Sequence, residues 1–171
     1  KGRENTPRYR RQPNNRPYTG IVNILYGDAP GWLAEALRTL REGGVVAHAT
    51  ETCYGLACDM RNPGAVARLF AVKQRPQTQP VSALFASVEE ARRYVQWNEE
   101  AETLAKASLP GPLTLVLPLR DDAPARLFPT PAGGATLGVR VSPHPIARAL
   151  AEGFDGPIST TSANVHGQPN P

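Results

Sequence analysis

Gly43-Gly44-Val45-Val46-Ala47-His48-Ala49-Thr50-Glu51-Thr52-Cys53-Tyr54-Gly55-Leu56 is the segment on which the fold turns. Before it, Trp32, Leu33, Ala36, Leu37 and Leu40 recur at helical spacing, and the two glycines supply the left-handed conformations that end helices. Val45 to Ala49 then forms a short apolar run, bounded as buried strands are, and it passes directly into small hydroxyl residues where core residues would be expected. The pattern is a helix, a tight stop, and a buried strand that empties into a site.

The same grammar continues outward. Ile21 to Leu25 is an expected first strand. Asn62-Pro63 opens a helix, because proline is favoured in the first turn, and Val66, Leu69, Phe70 and Val72 give it an inner face. Pro76 ends it just after Lys73-Gln74-Arg75. Val81 to Ala86 reads as a strand, and Val88 to Trp97 and Glu99 to Ala107 read as helices broken near Asn98. Pro110-Gly111-Pro112 turns the chain into strands over Leu113 to Leu117 and Leu137 to Val141; a helix over Pro145 to Ala151 and a strand over Pro157 to Thr161 follow. Strands alternating with helices of about ten residues indicate one α/β domain with a mixed sheet.

Composition narrows the class. At 171 residues the chain fits one domain, and 18 prolines with 15 glycines favour short elements over a helix bundle. No segment approaches the roughly 20 apolar residues of a membrane-spanning helix, and the basic start lacks a signal-peptide core, so a cytoplasmic protein without membrane contact is expected. Cys53 and Cys58 lie on one segment with no second pair, which reads as two reduced thiols and no zinc site. The formal charge of +4 is a property of the start of the chain: Lys1, Arg3, Arg8, Arg10, Arg11 and Arg16 against Glu4 give residues 1–19 a charge of +5, and residues 20–171 sum to −1. Residues 1–19 are therefore expected to be a disordered basic tail and 20–171 the folded domain. RNA attraction would come from that tail or from a local patch.

No phosphate loop, dinucleotide fingerprint, paired-histidine motif or nucleophile elbow is present, so anions must be bound by other means. Lys73 and Arg75 at a helix end either complement the helix dipole or grip an anion. Thr160-Thr161-Ser162-Ala163-Asn164, closing an apolar strand, is either a polar turn or a ligand-binding strand end. Arg140 lies inside the apolar strand Leu137 to Val141 and needs an anion there, either a ligand carboxylate or an internal partner such as Glu51 or Asp59. His48 is read as a satisfied buried imidazole and His144 and His166 as turn residues, with no histidine catalytic.

Together these segments resemble the YrdC-like family, the threonylcarbamoyl-AMP synthases of tRNA modification. The family's P-T-E-T-x-Y-G-L stands here as Ala49 to Leu56, its K-x-R-P as Lys73 to Pro76, and its P-G-P-L-T-L-V-L as Pro110 to Leu117. Its V-R-V-x-x-H-P stands as Val139 to Pro145 and its S-A-N-x-x-G as Ser162 to Gly167. Ala49, Gln79 and Leu84 depart from the usual Pro, Lys and His. The chain also stops at Pro171, shortly after the last motif, which reads as a domain truncated at its C-terminus or a short member.

The resemblance implies a YrdC-like twisted mixed sheet flanked by helices, with an open concave site. It implies formation of threonylcarbamoyl-adenylate and pyrophosphate from L-threonine, bicarbonate and ATP, with Mg2+ sharing the phosphate charge. Lys73 and Arg75 would be the catalytic pair that neutralises the triphosphate, and Thr136, Ser162, Asn164 and Asn170 would also contact nucleotide. Thr52, Arg140 and Thr160 would hold threonine, with Arg140 bidentate on its carboxylate. A downstream threonylcarbamoyl transferase complex is the implied partner, with tRNA or double-stranded RNA as a further contact. An RNA-binding module of the same fold without synthase activity is the alternative.

Overall fold

Short strands and helices alternate along the chain, and four of the five described helices start at a side chain that caps them, the first starting instead at Gly31. The structure is a computed structural model that describes residues 23–76, 79–128 and 136–169. The expected basic tail, residues 1–19, and Asn170 lie outside the described residues. The described elements run α1 (Trp32–Arg41), β1 (Val46–His48), β2 (Gly55–Ala57), α2 (Pro63–Lys73), β3 (Ser82–Leu84) and α3 (Val88–Arg92). They continue α4 (Glu99–Ser108), β4 (Leu115–Pro118), β5 (Thr136–Arg140), α5 (Pro145–Phe154) and β6 (Ile158–Ser162). Asn62 Oδ1 accepts from the Gly64 and Ala65 amides at 2.9 and 3.1 Å, so Pro63 sits in the first turn where its missing N–H is harmless. Ser87, Asn98 and His144 cap α3, α4 and α5 in the same way.

The strands form one sheet in the order β1-β2-β6-β3-β5-β4, antiparallel throughout except for the parallel pair β3 and β5. A mixed α/β sheet flanked by helices is thus present, as the sequence pattern indicates. Alternation along the strands separates its two faces. Ala57, Leu84 and Ile158 pack with Leu37 and Leu40 of α1 and Leu150 and Phe154 of α5. Their sequence neighbours Leu56 and Ala83 point the other way, into clusters built by α2 and by α3 with α4.

Three expectations change. Residues 23–25 form no strand, although one is expected over Ile21 to Leu25: Ile24 and Leu25 are exposed, and β1, the sheet edge, pairs among the described residues only with β2. Conversely, β2 begins at Gly55, inside the segment Thr50 to Leu56 that reads from sequence as the strand's outlet into a site. The helix expected over Val88 to Trp97 ends at Arg92, because Val95 is drawn into a bridge with Leu119 and the Gln96 amide donates to the Pro118 carbonyl at 2.8 Å.

The β3–β5 contact is the tightest point relevant to the site. A Cβ on Gly138 would stand 3.0 Å from the Ser82 Cβ and 3.2 Å from its Cα, so the two strands approach only because position 138 has no side chain. Gly138→Ala is expected to push β3 away from β5 and to cost about 1–3 kcal/mol, measured by chemical denaturation; an unchanged midpoint would show that the strands yield freely.

Candidate active site at the strand ends

The loop between β1 and β2 is knotted by one hydroxyl. Thr50 Oγ1 accepts from the Thr52 and Cys53 amides, both at 3.2 Å, and donates to the Cys53 carbonyl at 2.6 Å. This turn sends Glu51 and Thr52 toward β5, where Arg140 waits. Arg140 Nη2 donates to Glu51 Oε1 and, at 3.1 Å, to Thr52 Oγ1, while Ser142 Oγ donates to Glu51 Oε2. Both charged side chains are mostly buried, 14% and 17% exposed. Of the two partners left open by the sequence, the internal one is present: Glu51 neutralises Arg140. Burial acts to raise the Glu51 carboxyl, but the bonds from Ser142, its own backbone amide and Arg140 outweigh it and hold the group below the usual glutamate range.

Arg140 nevertheless also faces open space. Strand alternation places Gly55, Ser82, Thr160 and Ser162 on the α1/α5 side of the sheet, beyond the apolar rows of Leu84 and Ile158. There they line a cavity of about 100 Å3, together with Thr52, Thr114 and Arg140. Thr114 Oγ1 lies 3.5 Å from Arg140 Nη1, a long contact that leaves this arm of the fork available. Four residues expected from sequence, Thr52, Arg140, Thr160 and Ser162, therefore meet in one cavity. Ser82, Thr114 and Cys53 line it too and were missed. Thr114 lies within the Pro110 to Leu117 motif, as the hydroxyl interrupting an apolar run, and could have been found on that ground.

Lys73 and Asn164 adjoin this cavity without lining it. Lys73 is 3% exposed, and its Nζ donates to the Ser162 carbonyl and to the Asn164 carbonyl at 3.0 Å. Burial first, and the nearby Arg75 guanidinium second, push the Lys73 ammonium below the usual lysine range. Asn164 Oδ1 accepts from Ser162 Oγ, and its amide donates to the Gln168 carbonyl, so the whole turn is wound around the lysine. Arg75 is directed elsewhere, donating to Gln79 Oε1 at 2.6 Å and to the Pro80 carbonyl at 2.8 Å. Thr136 stands exposed at the far end of β5, roughly 13 Å along the strand from Arg140. Neither Arg75 nor Thr136 lines the cavity.

Both cysteines are free thiols, and burial pushes the Cys58 thiol up to about 11, which leaves it inert. Among the described residues no three His, Cys, Asp or Glu side chains cluster as a metal site, and no helix is long and apolar enough to cross a membrane. His144 caps α5 through its ring and His166 lies in a turn. His48 is buried as expected but is not satisfied: its Nε2 has no hydrogen-bond partner among the described residues.

Residues 38–171 match the profile of the Sua5/YciO/YrdC family, described as telomere recombination. The chain belongs to this family. Among the family's curated proteins, threonylcarbamoyl-AMP synthase of Halorhodospira halophila is 44% identical over 143 residues, 81% of this chain and 71% of that protein. The same enzyme of Vibrio cholerae is 41% identical over 80% of this chain and 73% of that protein. Among solved structures, P. abyssi Sua5 complexed with L-threonine superposes with a TM-score of 0.73 at 40% identity, covering 82% of this chain. This chain spans about two fifths (41%) of that longer protein.

In this member of the family, Glu51 is the residue that holds Arg140 in place. Glu51→Gln keeps the shape but removes the charge, and is expected to cost about 1–3 kcal/mol. The sign with pH follows from the lowered carboxyl: the wild-type contribution is complete above the ordinary value of 4.5 and disappears as pH falls below it toward the folded-state value. Denaturation of both proteins over about pH 3 to 6 should show that acid-side slope weakened in the variant; parallel curves would mean that the pair contributes nothing.

Proposed function

We propose that this chain is a threonylcarbamoyl-AMP synthase, joining L-threonine, bicarbonate and ATP into threonylcarbamoyl-adenylate with release of pyrophosphate. The observation that carries this reading is the 44% identity to the Halorhodospira halophila synthase across most of both chains. The cavity supports it chemically, since its hydroxyls and one available guanidinium arm suit a small amino acid.

The reaction needs no side-chain nucleophile. Bicarbonate takes up a proton and loses water to give carbon dioxide, threonine's neutral amine adds to it and releases a proton to give a carbamate, a carbamate oxygen attacks the α-phosphate of ATP, and pyrophosphate leaves. The protein's task is to hold two polar reactants close and to stabilise negative charge in a site shielded from water. Arg140 Nη1, with Thr52 and Thr160, would receive the amino acid. The other arm of Arg140 stays with Glu51, so the carboxylate contact is expected to use Nη1 and the neighbouring hydroxyls in place of a full bidentate fork. Ser162 and Asn164 would meet the nucleotide on the turn that Lys73 supports, and Lys73 and Arg75 would supply positive potential to the triphosphate. Arg75 would have to leave its Gln79 and Pro80 partners to touch a phosphate, and Thr136 and Asn170 would make outer nucleotide contacts. A magnesium ion accompanying ATP would be held by phosphate oxygens and water, because the cavity's nearest carboxylate, Glu51, is already committed.

The product would be consumed by a transferase that modifies tRNA, which places the protein in the cytoplasm, and a contact with tRNA or double-stranded RNA would fall to the N-terminal arginines. The reading is tested by measuring pyrophosphate release from ATP and bicarbonate with L-threonine, L-serine, glycine or no amino acid. Release that requires threonine and bicarbonate is expected; none from folded, ATP-bound protein would favour an RNA-binding module. Arg140→Ala should weaken threonine binding at least tenfold more than ATP binding, by calorimetry; equal losses for the two ligands would contradict its role.

A further inference from the structure

His48 ends β1 directly opposite Gly55, the first residue of β2, so its ring lies on the same side of the sheet as the cavity. The residue is 3% exposed. Its Nδ1 lies 3.2 Å from the Ala49 carbonyl, which can only accept, so Nδ1 carries the ring proton and Nε2 presents a lone pair. Burial holds this imidazole below the usual histidine range, with Glu51 and His144 as its charged or titratable neighbours, so the ring is neutral at pH 7. That Nε2 lone pair has no partner among the described residues. A buried acceptor left empty costs about 1–3 kcal/mol, and packing alone gives no reason for a histidine here.

The surroundings of Nε2 supply one. The point at which a Gly55 Cβ would stand lies 3.3 Å from His48 Nε2 and 3.6 Å from Thr160 Oγ1. The missing side chain leaves a gap with the imidazole acceptor on one side and a cavity-lining hydroxyl on the other. A threonine hydroxyl can donate once and accept, and whichever group takes its proton decides which way its lone pairs face.

We infer that His48 is a positioning residue of the amino-acid pocket: across the gap over Gly55 its Nε2 accepts the Thr160 proton when the cavity fills, turning a Thr160 lone pair onto the ligand's side-chain hydroxyl. The inference rests on the synthase reading and adds its selectivity. Thr160, deprived of the choice to donate, favours an amino acid that brings a hydroxyl donor over one with only hydrogen at that place. L-threonine and L-2-aminobutyrate differ by that hydroxyl alone.

The test compares pyrophosphate release with these two amino acids. His48→Phe should lower the threonine to 2-aminobutyrate ratio of kcat/KM at least fivefold, and His48→Gln, whose amide oxygen reaches the place of Nε2, should restore much of it. A ratio unchanged in folded His48→Phe overturns the proposal. A readout that needs no variant is the 15N resonance of the His48 Nε2 in wild-type protein: it should move upfield with threonine, as an accepted hydrogen bond requires, and much less with 2-aminobutyrate. Equal movement with both ligands, or no threonine binding at all, also overturns it. Threonine binding that moves the resonance without any pyrophosphate release would refute the synthase activity while leaving the role of His48 standing.

Discussion

A guanidinium at the end of an interior strand cannot be left without a counter-charge, and much of the site's architecture follows from meeting that demand at Arg140. The partner, Glu51, comes from the loop joining β1 to β2, at the opposite side of the sheet order from β5. Thr50 ties that loop into a turn, Ser142 takes the second carboxylate oxygen, and the cavity is the space enclosed when these segments meet. Burial of the pair opposes its charge, and the hydrogen bonds from Ser142, the backbone and Arg140 outweigh that opposition at Glu51. Its value is geometric: it brings Thr52 and Arg140 together and leaves one arm of the guanidinium to the cavity.

The same reasoning explains Lys73, a buried cation held differently. Among the described residues its ammonium has no carboxylate partner and instead donates to carbonyl oxygens of the 162–164 turn, so it organises the end of β6 from inside. A lysine near a helix end can serve the helix dipole or an anion, and the sequence left both open. The structure adds a third role, support of a loop, which periodicity could not reveal because the contacting carbonyls lie about ninety residues further on.

Elements with a strong local signal were legible in the sequence. Asn62-Pro63, the apolar faces of α1 and α5, and the strands around β4, β5 and β6 depend on caps and periodicity, and they appear within a few residues of expectation. The failures share a non-local cause. Strand β2 is three residues long, with Gly55 at the cavity and Leu56 and Ala57 in two different core clusters, too short for an alternation to register, and residues 23–25 stay off the sheet although β1 is its edge. Thr52, Arg140, Thr160 and Ser162 converge as their motifs imply, whereas Arg75 turns to Gln79 and Pro80, and sequence gives no measure of side-chain direction. Sequence points to a satisfied His48, as most buried imidazoles are, whereas the empty lone pair depends on strands distant in sequence.

The two ends of the site carry charge in different ways. Arg140 is balanced within the fold by Glu51, while no carboxylate forms an ion pair with Lys73 or Arg75 among the described residues. One end is therefore nearly neutral to an approaching ion, and the other projects an uncompensated positive field. Mobile ions weaken such fields over about 8 Å at physiological ionic strength and act far less on a paired, part-buried contact. On the proposed function, added salt should therefore loosen a polyanion held near Lys73 and Arg75 while sparing an amino acid held at Arg140, so ionic strength alone can separate the two contributions.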